Sequence, residues 1–341
     1  MEEERHSNDS PLIYLIVLCH NSKKWLHACL NSLVQTSYCN YRILLVDNYS
    51  SDGSIEEAQL LFPSIRVIRN SSNLGWCQGN NIAIQEALNE GAEYVVLLNS
   101  DLKTEDPLWL DALVEFASAN REYGIIGCTQ YEYDSVGWTK LNSWTEYILW
   151  SGNREAMFMD DTDYGKPIEN AYTISDLKNS KHLDCYFVQG AAMMVRGDVF
   201  QRIGMFDEIY FMFYDEVDFC RRARWLNIKT ALIPDSRVKH VGAGHTSSSK
   251  KNRLKRNFYY SRNKYIYVFT DITFSVKRMA RITTRLLYHD IKDALGEKED
   301  ISGIGQLFSV LGSLLRCVPR IMYKRNQDKG QIKKEMYLSN W

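Results

Sequence analysis

The chain has 341 residues, 45% of them hydrophobic, enough for one large domain or two modest ones around an ordinary core. The net charge of −1 hides an asymmetry: Lys250–Trp341 carries 20 Lys and Arg against 8 Asp and Glu, and Met1–Ser249 carries 21 against 34. A basic tail on an acidic body predicts an anionic contact, and apolar stretches in the tail favour a membrane surface over nucleic acid. Packing of the tail on the domain, or on another subunit of a homo-oligomer, stays open beside it.

Eight cysteines are scattered with no C-x-x-C pair, which excludes a disulfide framework and a zinc cage. Met1–Pro11 is acidic and polar, unlike a secretory signal, and Leu12–Leu18 is too short to cross a bilayer. A cytoplasmic protein is expected, at most leaning on the inner face of the cell membrane.

The first half alternates strands and helices. Leu12–Leu18 reads as a buried strand, and Asn21 or Ser22 can cap a helix with Leu26, Cys29, Leu30 and Leu33 on one face. Tyr41–Val46 is a second strand, ending in the turn cluster Asp47–Gly53. Ser54–Leu61 is helical, Ile65–Arg69 a strand, Ile82–Leu88 helical and Tyr94–Leu98 a fourth strand. Repeated units of this kind predict a mostly parallel sheet with helices on both faces. Tyr131–Lys181 is polar, aromatic and irregular, and is expected to be a functional or mobile insertion in a domain spanning 1–249. Regular structure is expected again at Cys185–Val195 and Lys229–Ile233. Residues 250–341 form a basic helical extension, in which Ile301–Leu315 reads as an interfacial or core helix.

Polar clusters follow the strands directly: His20-Asn21, Asp47-Asn48 and Asn99-Ser100-Asp101. Ligands of open α/β sheets bind beyond the carboxyl ends of strands, so parallel strands would converge these clusters on one crevice. Asp47 suits the N3–H edge of uracil or thymine. Asn73, Gly75, Gly79 and Asn80 make a small-residue loop where backbone can approach a ligand, although such loops are more often plain turns. Asp101 suits a hard divalent ion, and His240 could add a nitrogen ligand, although a lone histidine is more often structural. Asp215, Glu216 and Asp218 put three acids within four residues. Crowded acids raise a pKa and make a proton acceptor, or simply suit a helix start. Asp218 and Arg222 are spaced to pair along a helix.

Taken together these stretches resemble the inverting family 2 glycosyltransferases of GT-A fold, near their rhamnosyltransferase-like branch. The resemblance rests on the opening strand to Asn21, Val46–Ser54, Asn73–Trp76 with Gly79–Asn81, and Leu97–Asp101. It continues through Gln189–Ala191, Gly204–Glu208, Asp215–Arg222 and His240. It implies a Rossmann-like α/β sheet, a UDP- or dTDP-sugar donor with rhamnose favoured, and Mn²⁺ or Mg²⁺ as cofactor. The acceptor would be a glycan or lipid-linked glycan of cell-surface polysaccharide synthesis.

Residue by residue, Asp47 would bind the base. His20, Asn21, Asn48, Asn73, Gly75, Gly79, Asn80, Asn99 and Ser100 would line the nucleotide. Asp101 and His240 would hold the metal, and Glu216 would be the base with Asp215 orienting the acceptor. Gly190, Ala191, Asp207, Glu208 and Arg262 would face the sugar or acceptor. The chain departs from the family pattern at Asn99-Ser100-Asp101, where the first carboxylate is missing. It departs again at Asp215-Glu216, where the order is usually reversed, and at Cys19-His20-Asn21, where Thr-Tyr-Asn is common. The alternative is a catalytically silent nucleotide-sugar or glycan binding module of the same fold. A nucleotidyltransferase would need a basic Gly-rich loop, which Leu12–Lys24 does not offer.

Overall fold

A computed structural model describes residues 10–151, 171–242, 250–296 and 302–338. The expected alternation is present: β1 (Ile13–Cys19), α1 (Leu26–Leu33), β2 (Tyr41–Asp47), α2 (Ser54–Leu61), β3 (Arg66–Arg69), α3 (Gly75–Asn89) and β4 (Tyr94–Asn99). The four apolar positions expected on one face of α1 are its buried residues. The helix is capped by Trp25 without a side-chain bond, so neither Asn21 nor Ser22 plays that part. Short β5 (Leu102–Lys103), α4 (Trp109–Ala119) and β6 (Tyr123–Glu132) follow.

Of the expected loop at 73–80, Asn73 and Leu74 precede α3 and residues 75–80 form its first turns. The expected irregular stretch 131–181 contains α5 (Ser143–Ser151) and α6 (Ile174–Asn179), while its residues 152–170 lie outside the described set. Cys185–Val195 is regular only at its edges: β7 (Leu183–Asp184) precedes it and β8 (Ala192–Arg196) ends it. Next come α7 (Gly197–Ile203), α8 (Asp215–Trp225) and the long β9 (Lys229–His240). The extension is helical: α9 (Lys250–Thr270), α10 (Val276–Gly296) and α11 (Ser302–Leu338).

Among the described residues the strands form one sheet in the order β3-β2-β1-β4-β8-β6-β9-β5, with β7 paired to β9. Pairing is parallel from β3 through β4 and again between β6 and β9; β8 runs antiparallel to both neighbours. Alternation along β1 sends Ile13, Leu15, Val17 and Cys19 to a core under α1, α2 and α4. Tyr14 and Ile16 go to a second core shared with α3, α7, α8 and α9. The sheet is therefore buried on both faces, and what remains open is its edge at the strand ends.

The extension is fastened by buried charge. Asp218, fully buried on α8, accepts from Arg221 (2.6 Å) and, as its spacing predicts, from Arg222 (2.9 Å). Lys324 of α11 stands 3.2 Å from the same carboxylate, and Asp271 pairs with Arg221 at 3.3 Å. Burial opposes the charge on Asp218, but Lys324, Arg222 and Arg221 outweigh it and hold the carboxyl well below the usual range. Asp218→Asn should cost about 3–5 kcal/mol in urea unfolding at neutral pH, because it leaves buried cations uncompensated. The native carboxyl titrates below its unfolded value of about 4, so this stabilisation is full above that pH and fades as the pH falls further. The variant's deficit should therefore shrink in acid; equal melts at neutral pH would contradict the assignment.

Candidate active site

Register sets Cys19 beside Asp47 and Leu18 beside Asn99, so the carboxyl ends of β2, β1 and β4 open on one edge. Asp47 is buried there and accepts from Ser50 N at 2.8 Å. His20 Nδ1 lies 3.0 Å from Asn48 O, and Asn21, at φ 53°, accepts from Ser51 N at 2.8 Å. Two strand spacings, about 10 Å, separate Asp47 from Asn99.

Several residues expected to line a nucleotide instead build the start of α3. The Asn48 carboxamide accepts from Leu74 N (2.9 Å) and donates to Gly75 O (2.9 Å), while Asn73 Oδ1 accepts from Gly75 N (3.0 Å). Gly75 has φ +79°, and a Cβ there would sit 2.5 Å from Phe211 O. Gly79 and Asn80 are buried inside α3; Gly79 packs on Leu18, and Asn80 donates to Trp76 O. Ser100 is buried with its Oγ 2.5 Å from Ser22 Oγ.

Asp101 and His240 come together as expected: Nε2 is 3.2 Å from Asp101 Oδ1, and both residues are buried. His240 Nδ1 is 3.0 Å from Gln130 Oε1, an oxygen that also accepts from Asn142 Nδ2. Nδ1 is therefore the donor, which turns Nε2 toward a carboxylate oxygen. Two acceptors facing each other call for a proton or a cation between them. A carboxylate and an oriented imidazole fit a divalent ion whose remaining ligands are diphosphate oxygens and water. Among the described residues no group of three or more His, Cys, Asp or Glu could hold a metal unaided. Asn99 takes the place of the missing carboxylate, accepting from Trp76 Nε1 (3.2 Å) with its Nδ2 3.4 Å from His240 Nε2.

Across from this pair, α8 begins with Asp215 and Glu216. The backbone just before it is left-handed at Phe211, Phe213 and Tyr214 (φ 65°, 67° and 67°). Asn263 of α9 holds this segment, its Nδ2 lying 2.9, 2.8 and 2.9 Å from the carbonyls of Tyr210, Met212 and Phe213. Trp76 N donates to Phe211 O at 2.6 Å from the other side. Cys77 Sγ donates to Asp215 Oδ2 at 3.5 Å. Burial, the adjacent Asp215 charge and a shared hydrogen bond push the Glu216 carboxyl well above its ordinary range; burial also raises Asp215. Raised, coupled acids in a cleft are a suitable proton acceptor.

One cavity of about 620 Å³ joins the two halves: Asn99, His240, Gly190, Ala191, Asp215 and Glu216 all line it. Gly190 is required by Trp76, whose ring carbon would lie 2.6 Å from an added Cβ. The far wall comes from Trp144 of α5, Asn257, Tyr260 and Ser261 of α9, Asp290 and Asp293 of α10, and Gln306 of α11. None of these was singled out in the sequence, although Asp290 and Asp293 stand out as acids in a basic helix.

Asp207 and Glu208 do not join the cavity. They line a separate cleft with Gln78, Asn81 and Lys324, and Asp207 accepts from Ile209 N at 2.9 Å. Arg262 does not face it either: its Nη2 donates to Ile209 O (2.6 Å) and Tyr210 O (3.0 Å). Its guanidinium is directed at loop carbonyls, away from the cavity.

This architecture is the GT-A fold. The chain superposes on a mannosyltransferase of Pyrobaculum calidifontis solved with GDP-mannose and Mn²⁺ at a TM-score of 0.53 and 12% identity, over 97% of this chain and 86% of that one. The sequence model of glycosyl transferase family 2 matches residues 14–204, and the chain belongs to that family. It is rhamnosyltransferase-like. It is 27% identical to the N-acetylglucosaminyl-diphospho-decaprenol L-rhamnosyltransferase of Mycobacterium tuberculosis, over 67% of this chain and 73% of that protein. It is 23% identical to the dTDP-rhamnosyl transferase RfbF of Shigella flexneri, over 67% and 69%.

Carbon-NMR titration of the Glu216 carboxyl should give a midpoint above the ordinary carboxylate range. In Asp215→Asn the midpoint should fall, because the neighbouring charge is gone. A normal midpoint in the parent protein, or no movement in the variant, would remove the coupled pair.

Proposed function

We propose that the chain is an inverting, metal-dependent glycosyltransferase that moves a sugar, rhamnose in preference, from a UDP- or dTDP-sugar to a lipid-linked glycan of the cell surface. The observation that carries this reading is the single cavity with Asn99 and His240 on one wall and the raised Asp215–Glu216 pair on the other. Asp47 accepts the N3–H of the base at the strand edge, and the diphosphate runs from there toward Asn99. Bound on Asp101 and His240, Mn²⁺ or Mg²⁺ supplies charge neutralisation for the departing diphosphate. Glu216 takes the proton from the acceptor hydroxyl as its oxygen bonds to the anomeric carbon and the bond to the diphosphate breaks. Asp215 keeps the Glu216 carboxylate oriented and basic. The single displacement inverts the anomeric centre. Rhamnosyl transfer in both relatives, from a dTDP-sugar in one and to a decaprenol-linked acceptor in the other, supports the donor and acceptor classes.

A silent module of the same fold is the second reading, favoured by Asn99 in place of a carboxylate. Donor hydrolysis in the presence of Mn²⁺ separates the two. Glu216→Gln should bind nucleotide in calorimetry as the parent does and lose about 10²–10⁴-fold in turnover. Full turnover in that variant would reject Glu216 as the base. Asp101→Ala should weaken Mn²⁺-dependent nucleotide binding; an unchanged isotherm would take Asp101 out of the site.

A further inference from the structure

The outer face of α11 is apolar where a soluble helix would be polar. Exposed Ile304, Phe308, Leu315, Val318 and Met322 recur at steps of three, four and seven residues, which sets them in one stripe. Over 18 residues the stripe runs about 27 Å. Phe308 and Leu315 are 70% and 75% exposed, and among the described residues nothing covers them. No acidic residue occurs from Ser302 to Gln327, and exposed Arg316 lies beside the stripe. The neighbouring α10 packs on α11 and continues the pattern: exposed Lys277 and Arg278 at its start, exposed Tyr288, Ile291 and Leu295 at its end. No helix among the described residues is long and apolar enough to cross a membrane.

The position of this face gives it meaning. Asp290, Asp293 and Ala294 of α10, and Gly303, Gln306 and Leu307 of α11, line the catalytic cavity. Leu295, Ile304 and Phe308 are their immediate chain neighbours and point outward. The apolar surface thus begins at the rim of the cavity and extends away from it. α10 is held there by Asp290, which accepts from Lys264 and, at 2.6 Å, from Tyr265 Oη of α9.

We propose that the exposed faces of α10 and α11 seat the protein on an anionic lipid bilayer, with the cavity mouth at the headgroup level. Apolar side chains enter the headgroup–acyl boundary, and flanking cations meet lipid phosphates. The lipid-linked acceptor then presents its glycan to the cavity without leaving the bilayer. This use of the surface rests on the acceptor class proposed above. Charge selects the occupant: a second copy docked face to face would set Arg316, Lys277 and Arg278 against cations of the same face.

The test is co-sedimentation of the full chain with phosphatidylcholine vesicles, with and without phosphatidylglycerol. The parent should pellet with the anionic vesicles and release in high salt. The double variant Phe308→Ser, Leu315→Ser should lose about tenfold or more in partitioning. Lys277→Glu with Arg316→Glu should lose the preference for phosphatidylglycerol. None of these residues lines the cavity, so donor hydrolysis should stay at parental rate in all variants. No pelleting by the parent, or equal pelleting by Phe308→Ser, Leu315→Ser, overturns the proposal. So does a parental dimer in light scattering that this variant converts to monomer, since that assigns the face to a second copy. Vesicle binding with no donor hydrolysis by the parent would reject the transferase reading and leave the lipid contact standing.

Discussion

The site depends on one strained segment. Phe211, Phe213 and Tyr214 are held at positive φ without being glycine, a conformation that costs on the order of 1–3 kcal/mol per residue. Its carbonyls are met from both sides: by Asn263 and Arg262 of α9, and by the amide of Trp76 at the start of α3. Because the chain turns there, α8 starts with its first two side chains facing Asn99 and His240. A relaxed segment would swing Asp215 and Glu216 away from the strand edge, and the two halves of the chemistry would no longer share a cavity.

The same segment links the strand edge to the helical wall of the cavity. Asn48, next to the base-binding Asp47 of the proposal, bonds Leu74 N and Gly75 O, and Gly75 lies against Phe211 O. On the other side α9 carries Asn263, which fixes the segment, and Tyr260 and Ser261, which line the cavity. The buried Asp218 cluster binds α11 to α8 through Lys324. The helical extension is thus part of the site's wall, and its placement and that of the acids are set by shared contacts.

The open edge of the sheet was legible in the sequence because apolar strands ending in polar clusters obey a local rule. Asp47, Asn99 and Ser100 stand at that edge for this reason. The Asp101–His240 pair is separated by 139 positions in the chain, so no local pattern joins the two residues; metal-ligand chemistry suggested the pair and the family resemblance gave it its role. Asn73, Gly75, Gly79 and Asn80 read as a ligand loop because Gly and Asn disfavour helices, yet tertiary bonds from Asn48 impose helix there. Arg262 was expected to face the sugar or acceptor, and its partners in the structure are carbonyls beside left-handed backbone, which leave no mark in composition. Asn257, Tyr260 and Gln306 were hidden for a different reason: which face of a helix meets the cavity depends on how α9, α10 and α11 pack.

The central claim is that the raised acids and the Asp101–His240 pair surround one nucleoside diphosphate and its cation. It is tested most directly by paramagnetic broadening of the labelled Glu216 carboxyl carbon when Mn²⁺ is added with UDP or dTDP. The account predicts strong broadening that disappears in His240→Ala while the fold, judged by circular dichroism, is kept. A sharp, unshifted Glu216 signal with Mn²⁺ and nucleotide both bound would contradict it.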